Sequence, residues 1–129
     1  MLSVDLARAL LSAGLLWSPA QGDRFVLAGR GMDDDVFWLS DFTVEVQELP
    51  RGRVVGFNGT TEWALDSVRL EDALWLPRED QLRAQLGDRL VRLERDRDGF
   101  TVELADGTRH RAADAEDAYG SALLSVLRA

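Results

Sequence analysis

The chain has 129 residues, no cysteine and a formal net charge of −8, from 15 arginines and 23 acidic residues. This length predicts a single domain, residues 1–129, whose core needs neither a disulfide nor a metal. The lack of cysteine excludes thiolate catalysis and thiolate zinc sites. The negative charge disfavours nucleic acid and anionic membranes as partners, because both are polyanions. There is no glycine-rich phosphate loop, and we expect no cofactor.

The N-terminal segment predicts an amphipathic helix rather than a signal peptide. Apolar residues from Leu2 to Trp17 recur at helical spacing, and Ser3 is the candidate N-cap of a helix over roughly Ser3 to Leu15. Asp5 interrupts the positive region that a signal peptide would need. No stretch approaches the roughly 18 apolar residues of a membrane span. We therefore expect a cytoplasmic protein with no membrane partner.

Residues 24–65 predict an antiparallel meander. Short strands are expected at Arg24–Ala28 and Val36–Leu39, followed by an alternating strand that enters a turn near Pro50. The chain then re-emerges as a strand and turns again at Asn58-Gly59, the strongest short hairpin signal in a sequence.

Parity sets the expected faces of this meander, because successive residues alternate and paired residues share a face. An even-length loop at residues 50–53 puts Val46 opposite Phe57. The next two-residue turn puts Val54 opposite Trp63 on the other face. Both faces then carry large apolar groups, so the second face needs a cover. We predict that it forms an interaction surface for a protein partner or for a second copy in a homodimer, with the residues Val54, Trp63 and Leu65.

The C-terminal half predicts a second meander between two helices. Residues 66–76 fit either a helical turn or an extended run, and both stay open. A short helix is expected from Pro77 to Leu86, ended by Gly87, and a final helix from Asp114 to about Leu127. The predicted fold class is therefore α+β, with antiparallel meanders at about residues 24–65 and 90–112, an N-terminal helix, a short central helix and a C-terminal helix.

Two-residue turns at Asp98-Gly99 and Asp106-Gly107 would set the register of the second meander. They would align Val91 with the apolar residues of the next strand and put His110 across from Glu103. A histidine beside a carboxylate could serve as a general base, but a solvent-facing cross-strand pair explains it as well. Gly120 marks either a weak point of the final helix or a place of close packing.

An acidic cluster suggests a second class of function. Asp33, Asp34 and Asp35 are consecutive, and no basic residue lies between Gly31 and Pro50. Carboxylate oxygens are the ligands that Mg²⁺ and Ca²⁺ prefer, whereas a solvated acidic loop accounts for the same residues structurally. The alternative function is a small cation-dependent enzyme or small-ligand-binding protein that uses this cluster.

Two segments, Phe57–Val68 and Trp75–Leu82, resemble a family of short uncharacterised actinobacterial proteins. Some members carry a pilus-assembly ATPase-like label, but this chain lacks the nucleotide-binding loop that such an activity requires. The element order is also similar to secretion-chaperone-like domains, which dimerise and hold partner segments on their sheets. The resemblance implies no established activity, and we expect a non-enzymatic protein-interaction domain of the chaperone or adaptor kind.

Overall fold

The computed structural model describes residues 1–27, 35–39, 44–49, 52–57, 67–69 and 72–129. Within these ranges the chain forms three α-helices and nine β-strands. The helices α1, α2 and α3 span Val4–Ser12, Glu79–Leu86 and Ala115–Arg128. The strands β1 to β9 span, in order, Arg24–Leu27, Phe37–Trp38, Val44–Leu49, Gly52–Phe57, Ser67–Arg69, Ala73–Leu76, Leu90–Asp96, Gly99–Leu104 and Arg109–Ala112. The predicted α+β class, with its N-terminal, central and C-terminal helices, is confirmed.

The chain divides into two compact units. We call Met1–Leu16 together with Leu76–Ala129 the helical unit, because it contains the three helices along with the sheet β7–β8–β9. We call Trp17–Trp75 the strand unit, and its strands belong to two sheets, ordered β2–β1–β6 and β3–β4–β5. The strands predicted as one meander over residues 24–65 are thus shared between two sheets. The single domain over residues 1–129 stays a prediction.

Three predicted capping residues lie at helix ends, although α1 ends at Ser12 rather than near Leu15 and α2 begins at Glu79 rather than Pro77. Ser3 is the N-cap of α1, and its Oγ accepts a hydrogen bond from Leu6 N at 3.3 Å. Asp114 is the N-cap of α3, and its carboxylate accepts from Asp117 N at 2.8 Å. Gly87 ends α2. The side chains of Ser3 and Asp114 thus satisfy backbone donors that the first turn of a helix leaves unpaired.

The helices α1 and α3 approach each other closely at Gly120, which confirms close packing as the role of this glycine. A Cβ atom added to Gly120 would lie 2.7 Å from Leu2 Cδ1 and 2.8 Å from Leu6 Cδ2. Gly120 and Leu2 are both buried. A side chain of any size at position 120 would therefore require α1 or its leucines to move.

The acidic first turn of α3 also caps the start of α1. Leu2 N donates a hydrogen bond to Glu116 Oε2 at 2.8 Å, and Ser3 N donates to Asp117 Oδ1 at 2.8 Å. These amides precede the first helical residue and have no acceptor within α1. Carboxylates at the start of α3 thus serve the N-termini of two helices, and both helix dipoles favour negative charge there.

The hairpin β7–β8 contains a bulge that the sequence does not signal. Leu93 lies opposite Val102, but the register shifts between Leu90 and Arg92, so that Leu90 lies opposite Leu104. Val91 is 49% exposed. Its predicted alignment with the apolar face is wrong, because a bulge adds one unpaired residue and changes the face of its neighbours.

The hairpin β8–β9 has a three-residue loop, so the two-residue turn predicted at Asp106-Gly107 is wrong. Leu104 N donates to Thr108 O at 3.0 Å across the loop, and Gly107 adopts a φ of +87°. Three-residue hairpin loops use a left-handed residue at this place. The additional residue shifts the register by one. His110 consequently lies opposite Val102, and Arg109 takes the predicted place opposite Glu103.

The core of the strand unit is aromatic. Trp17 and Phe25 are buried with their ring centroids 5.5 Å apart, and Phe37 stacks on Phe25 at 5.6 Å. Residues 67–69 and 73–76 are strands, so the extended reading of these residues is correct. Among the helices that the structure describes, none combines the length and apolar character needed to cross a membrane.

Candidate interaction surface

The hairpin β3–β4 pairs six residues of each strand without interruption, from Val44 opposite Phe57 to Leu49 opposite Gly52. The connection is residues 50–51, so the predicted even length is confirmed. The predicted pairing of Val46 with Phe57 is wrong, because a two-residue connection places Val46 opposite Val55. Parity was sufficient to assign faces but left the register undetermined by two residues.

The second side of β4 pairs with β5, a segment further along the chain than predicted. Val54 lies opposite Gln47 on one side and Arg69 on the other. Since a strand residue has one neighbour on each side, the predicted pairing of Val54 with Trp63 is wrong. Trp63 and Leu65 lie outside the described residues, so the interaction surface of Val54, Trp63 and Leu65 stays a prediction.

The observed register separates this sheet into an apolar and a polar face. Directly paired residues share a face. The apolar face includes Val44, Val46, Val55, Phe57 and Val68, together with the pair Glu48–Arg53. The polar face includes Glu45, Gln47, Ser67 and Arg69, with Leu49, Val54 and the glycines Gly52 and Gly56. Within its described strands the two faces thus differ in composition, and Val54 lies on the face that also carries Glu45 and Gln47.

Strand β3 is the outer strand of the order β3–β4–β5, and in the described part of the chain it pairs with β4 only. Its sequence, Val-Glu-Val-Gln-Glu-Leu, contains neither proline nor glycine, and its register has no shift. An outer strand of this kind presents unpaired backbone donors and acceptors that another extended chain can use. The bulged strand β7 lacks such regularity.

The strand unit carries most of the net charge of the molecule. Between Trp17 and Trp75 there are 11 acidic residues and five arginines, a net charge of −6, whereas the helical unit has 12 acidic residues and ten arginines, a net charge of −2. Glu45 and Glu48 lie on opposite faces of β3 by register. Each face of this strand therefore carries one glutamate, and Glu48 lies opposite Arg53.

The predicted metal ligands are only partly described. Asp35 is exposed and precedes β2, while Asp33 and Asp34 lie outside the described residues. No group of three potential metal ligands is found among the side chains that the structure describes. The cation site at Asp33, Asp34 and Asp35 stays a prediction.

The trio that most resembles catalytic machinery lies beside the β8–β9 loop. Thr108 Oγ1 donates a hydrogen bond to Asp106 Oδ1 at 2.6 Å and is 3.0 Å from His110 Nε2. The hydrogen bonds from the Thr108 hydroxyl and from Thr108 N lower the pKa of Asp106. The one hydroxyl proton of Thr108 is thus directed to the carboxylate of Asp106 and not to the imidazole. Nucleophile activation needs the opposite direction, with the imidazole accepting the hydroxyl proton.

The outer face of β7–β8–β9 is neutralised by its own ion pairs. Arg109 contacts both Glu94 and Glu103 at 2.8 Å, and Arg111 makes two hydrogen bonds of 2.9 Å to Asp96. The hydrogen bond from Arg109 lowers the pKa of Glu94, and that from Arg111 lowers the pKa of Asp96. These arginines are therefore engaged by carboxylates and do not form a preorganised phosphate site.

The tryptophans have different roles. Trp17 Nε1 donates to the buried Asp23 Oδ2 at 2.9 Å, and Ala20 N donates to the same oxygen at 3.0 Å. The carboxylate thereby holds the turn before β1. Trp38, in contrast, is 59% exposed, and the Arg24 guanidinium lies 5.5 Å from its ring centroid. No sequence signal distinguished the core tryptophan from the exposed one, because both lie next to short apolar runs.

Comparisons with protein-family models, curated proteins and solved structures gave no match for this chain. The resemblance to the actinobacterial family and to secretion-chaperone-like domains stays a prediction.

Proposed function

We propose that this chain is a non-enzymatic protein-interaction domain of the adaptor or chaperone-like kind, which binds its partner through the sheet β3–β4–β5. The observation that carries the proposal is β3, an outer strand of six residues in uninterrupted register with β4. An extended segment of a partner can hydrogen-bond to the side of β3 away from β4, and alternating side chains then provide specificity.

The chemistry of the described side chains favours binding over catalysis. The Asp106–Thr108–His110 trio has a hydrogen-bond direction that opposes nucleophile activation. The arginines Arg109 and Arg111 are paired within their own sheet. Both clusters therefore have structural roles at the surface of the helical unit, whereas the outer edge of β3 pairs with no other strand that the structure describes.

Photo-crosslinking in cells that express the protein natively tests this function. A photoreactive amino acid would replace Gln47 in β3, Val54 in β4 or Trp63 of the predicted surface. A fourth variant, at the exposed Arg97 of the β7–β8 turn, serves as the matched control. We expect discrete protein adducts from the sheet positions and none of the same mass from the control. Adducts of twice the chain mass would identify a second copy as the partner. The absence of adducts from all three sheet positions would contradict the proposal.

A further inference from the structure

We infer that the partner docks as an extended basic strand, antiparallel to β3 along its outer edge, and that a second copy of this chain is disfavoured there. This inference rests on the proposed function and adds the chemistry of the partner. It follows from the backbone geometry of β3, the positions of its two glutamates and the charge of the strand unit.

The backbone of β3 has the regularity that strand addition needs. Six consecutive residues rise by about 20 Å at roughly 3.4 Å per residue, enough for a partner segment of the same length. The register shift in β7 between Leu90 and Arg92 interrupts hydrogen bonding and discourages pairing. No such shift occurs between Val44 and Leu49. A regular outer edge in β3 thus contrasts with an irregular one in β7.

Charge specifies the partner. Glu45 lies opposite Gly56 and has no charged neighbour there, whereas Glu48, on the other face of β3, lies opposite Arg53. Both glutamates belong to a unit of net charge −6. Opposite charges in direct cross-strand pairs are favourable and like charges are unfavourable. A second copy would bring two more glutamates to the same edge. It would also bring two negatively charged strand units close together. A strand with arginine or lysine opposite Glu45 and Glu48 would instead complement both faces.

The faces of β3 also determine where the partner needs apolar residues. Val44 and Val46 belong to the apolar face of the sheet, so the residues opposite them should be β-branched or otherwise apolar. An antiparallel partner, read from the residue opposite Leu49 to the residue opposite Val44, therefore has the pattern polar, basic, polar, apolar, basic, apolar. The peptide Thr-Arg-Thr-Val-Arg-Val has this pattern and is the probe for the experiment.

Fluorescence anisotropy with the labelled, end-blocked peptide measures the charge requirement. We expect it to bind at least about tenfold more tightly than Thr-Glu-Thr-Val-Glu-Val, since two favourable pairs replace two unfavourable ones. Glu45→Arg or Glu48→Arg should each weaken binding of the basic peptide by about fivefold or more and improve binding of the acidic one. Asp88→Arg changes the net charge equally but lies in the helical unit, and it should alter either affinity less than about twofold. Circular dichroism would establish that each variant is folded.

N-methylated peptides test whether binding uses the backbone. In a strand, alternate amides point to the same side. A peptide methylated on the amides that face β3 should therefore not bind, whereas a peptide methylated on the other set of amides should bind as before. Equal binding of both methylated peptides would refute strand addition, and equal binding of the basic and acidic peptides would refute the charge requirement. Failure of the basic peptide to bind, with the crosslinks from Gln47 intact, would overturn this inference and leave the protein-interaction function standing. Loss of the crosslinks themselves would overturn that function.

Discussion

Replacement of Gly120 by alanine is expected to destabilise the helical unit, although alanine is the better helix former. In an isolated helix the change would stabilise by about 1 kcal/mol. In α3, however, the new methyl group would lie 2.7 Å from Leu2 Cδ1 and 2.8 Å from Leu6 Cδ2. Carbon atoms in favourable contact are about 3.5–4.0 Å apart. The two helices or their leucine side chains would have to separate by roughly 1 Å.

The clash should outweigh the helix propensity. Leu2 is 1% exposed, so its side chain cannot rotate into solvent without losing its buried contacts. Overpacking of a filled core costs about 1–3 kcal/mol, and the upper part of this range applies where the neighbour is fully buried. After subtraction of the propensity gain, we expect a net loss of about 1–2 kcal/mol in the free energy of unfolding. For a chain of this size, the melting temperature should fall by roughly 4–8 °C.

A double-mutant cycle with Leu6→Ala separates the two effects. Urea unfolding of the wild type, both single variants and the double variant would give four free energies. With the Leu6 side chain removed, one of the two short contacts disappears and Leu2 can shift into the space that Leu6 leaves, so Gly120→Ala should become nearly neutral or stabilising. We expect a coupling energy of at least about 1 kcal/mol, within the range for residues in contact. A stabilising Gly120→Ala in the wild-type background, or the same effect in both backgrounds, would refute the close-packing explanation.

Three further predictions concern a cap, a loop and an ion pair. Asp114→Ala should lower the free energy of unfolding by about 1 kcal/mol in thermal or urea unfolding, whereas Asp114→Asn should retain most of the capping; equal losses would contradict the assigned cap. Gly107→Ala should cost about 1–2 kcal/mol because of its positive φ, and Gly107→Asn should cost less; an unchanged urea midpoint for the alanine variant would exclude the three-residue loop. Because the Arg111 hydrogen bond lowers the pKa of Asp96, this pair stabilises the fold above the ordinary carboxyl pKa of about 4, and the stabilisation is lost as the pH falls through the folded pKa. The difference in free energy of unfolding between the wild type and Arg111→Gln should therefore be larger at pH 6 than at pH 3, and high salt should reduce it. A difference that does not change with pH would argue against this ion pair.

Local signals were sufficient to predict the helices. Ser3 and Asp114 act at their own helix ends, and Gly87 ends α2, because capping depends on residues within one turn. The strands β7 and β8 were also predictable, since alternating apolar residues flank a short turn, but that turn is Arg97-Asp98 and not the predicted Asp98-Gly99. These features require no knowledge of distant parts of the chain.

The errors arose where one residue changes a register or where a partner is distant. The extra residue in the Ala105–Gly107 loop moved His110 from Glu103 to Val102, and the bulge at Val91 changed its face. The sequence Asp-Gly permits both a two-residue and a three-residue loop. Pairing of β4 with Ser67–Arg69 depends on long-range competition between strands, which alternation alone does not resolve. The candidate surface was difficult to predict for the same reason, because it is defined by the order and register of the strands and not by a local sequence motif.

The attachment of α1 to the first turn of α3 has a consequence for biosynthesis. Leu2 and Ser3 are bonded to Glu116 and Asp117, which the ribosome adds more than a hundred residues later. At about 5–20 residues per second, α1 waits for roughly 5–20 s with its apolar stripe unburied. A helix of this length is marginal in isolation, so a segment made well before α3 is among the last to reach its native contacts. During this interval, we expect the leucines that later pack against α3 to be accessible to nascent-chain chaperones.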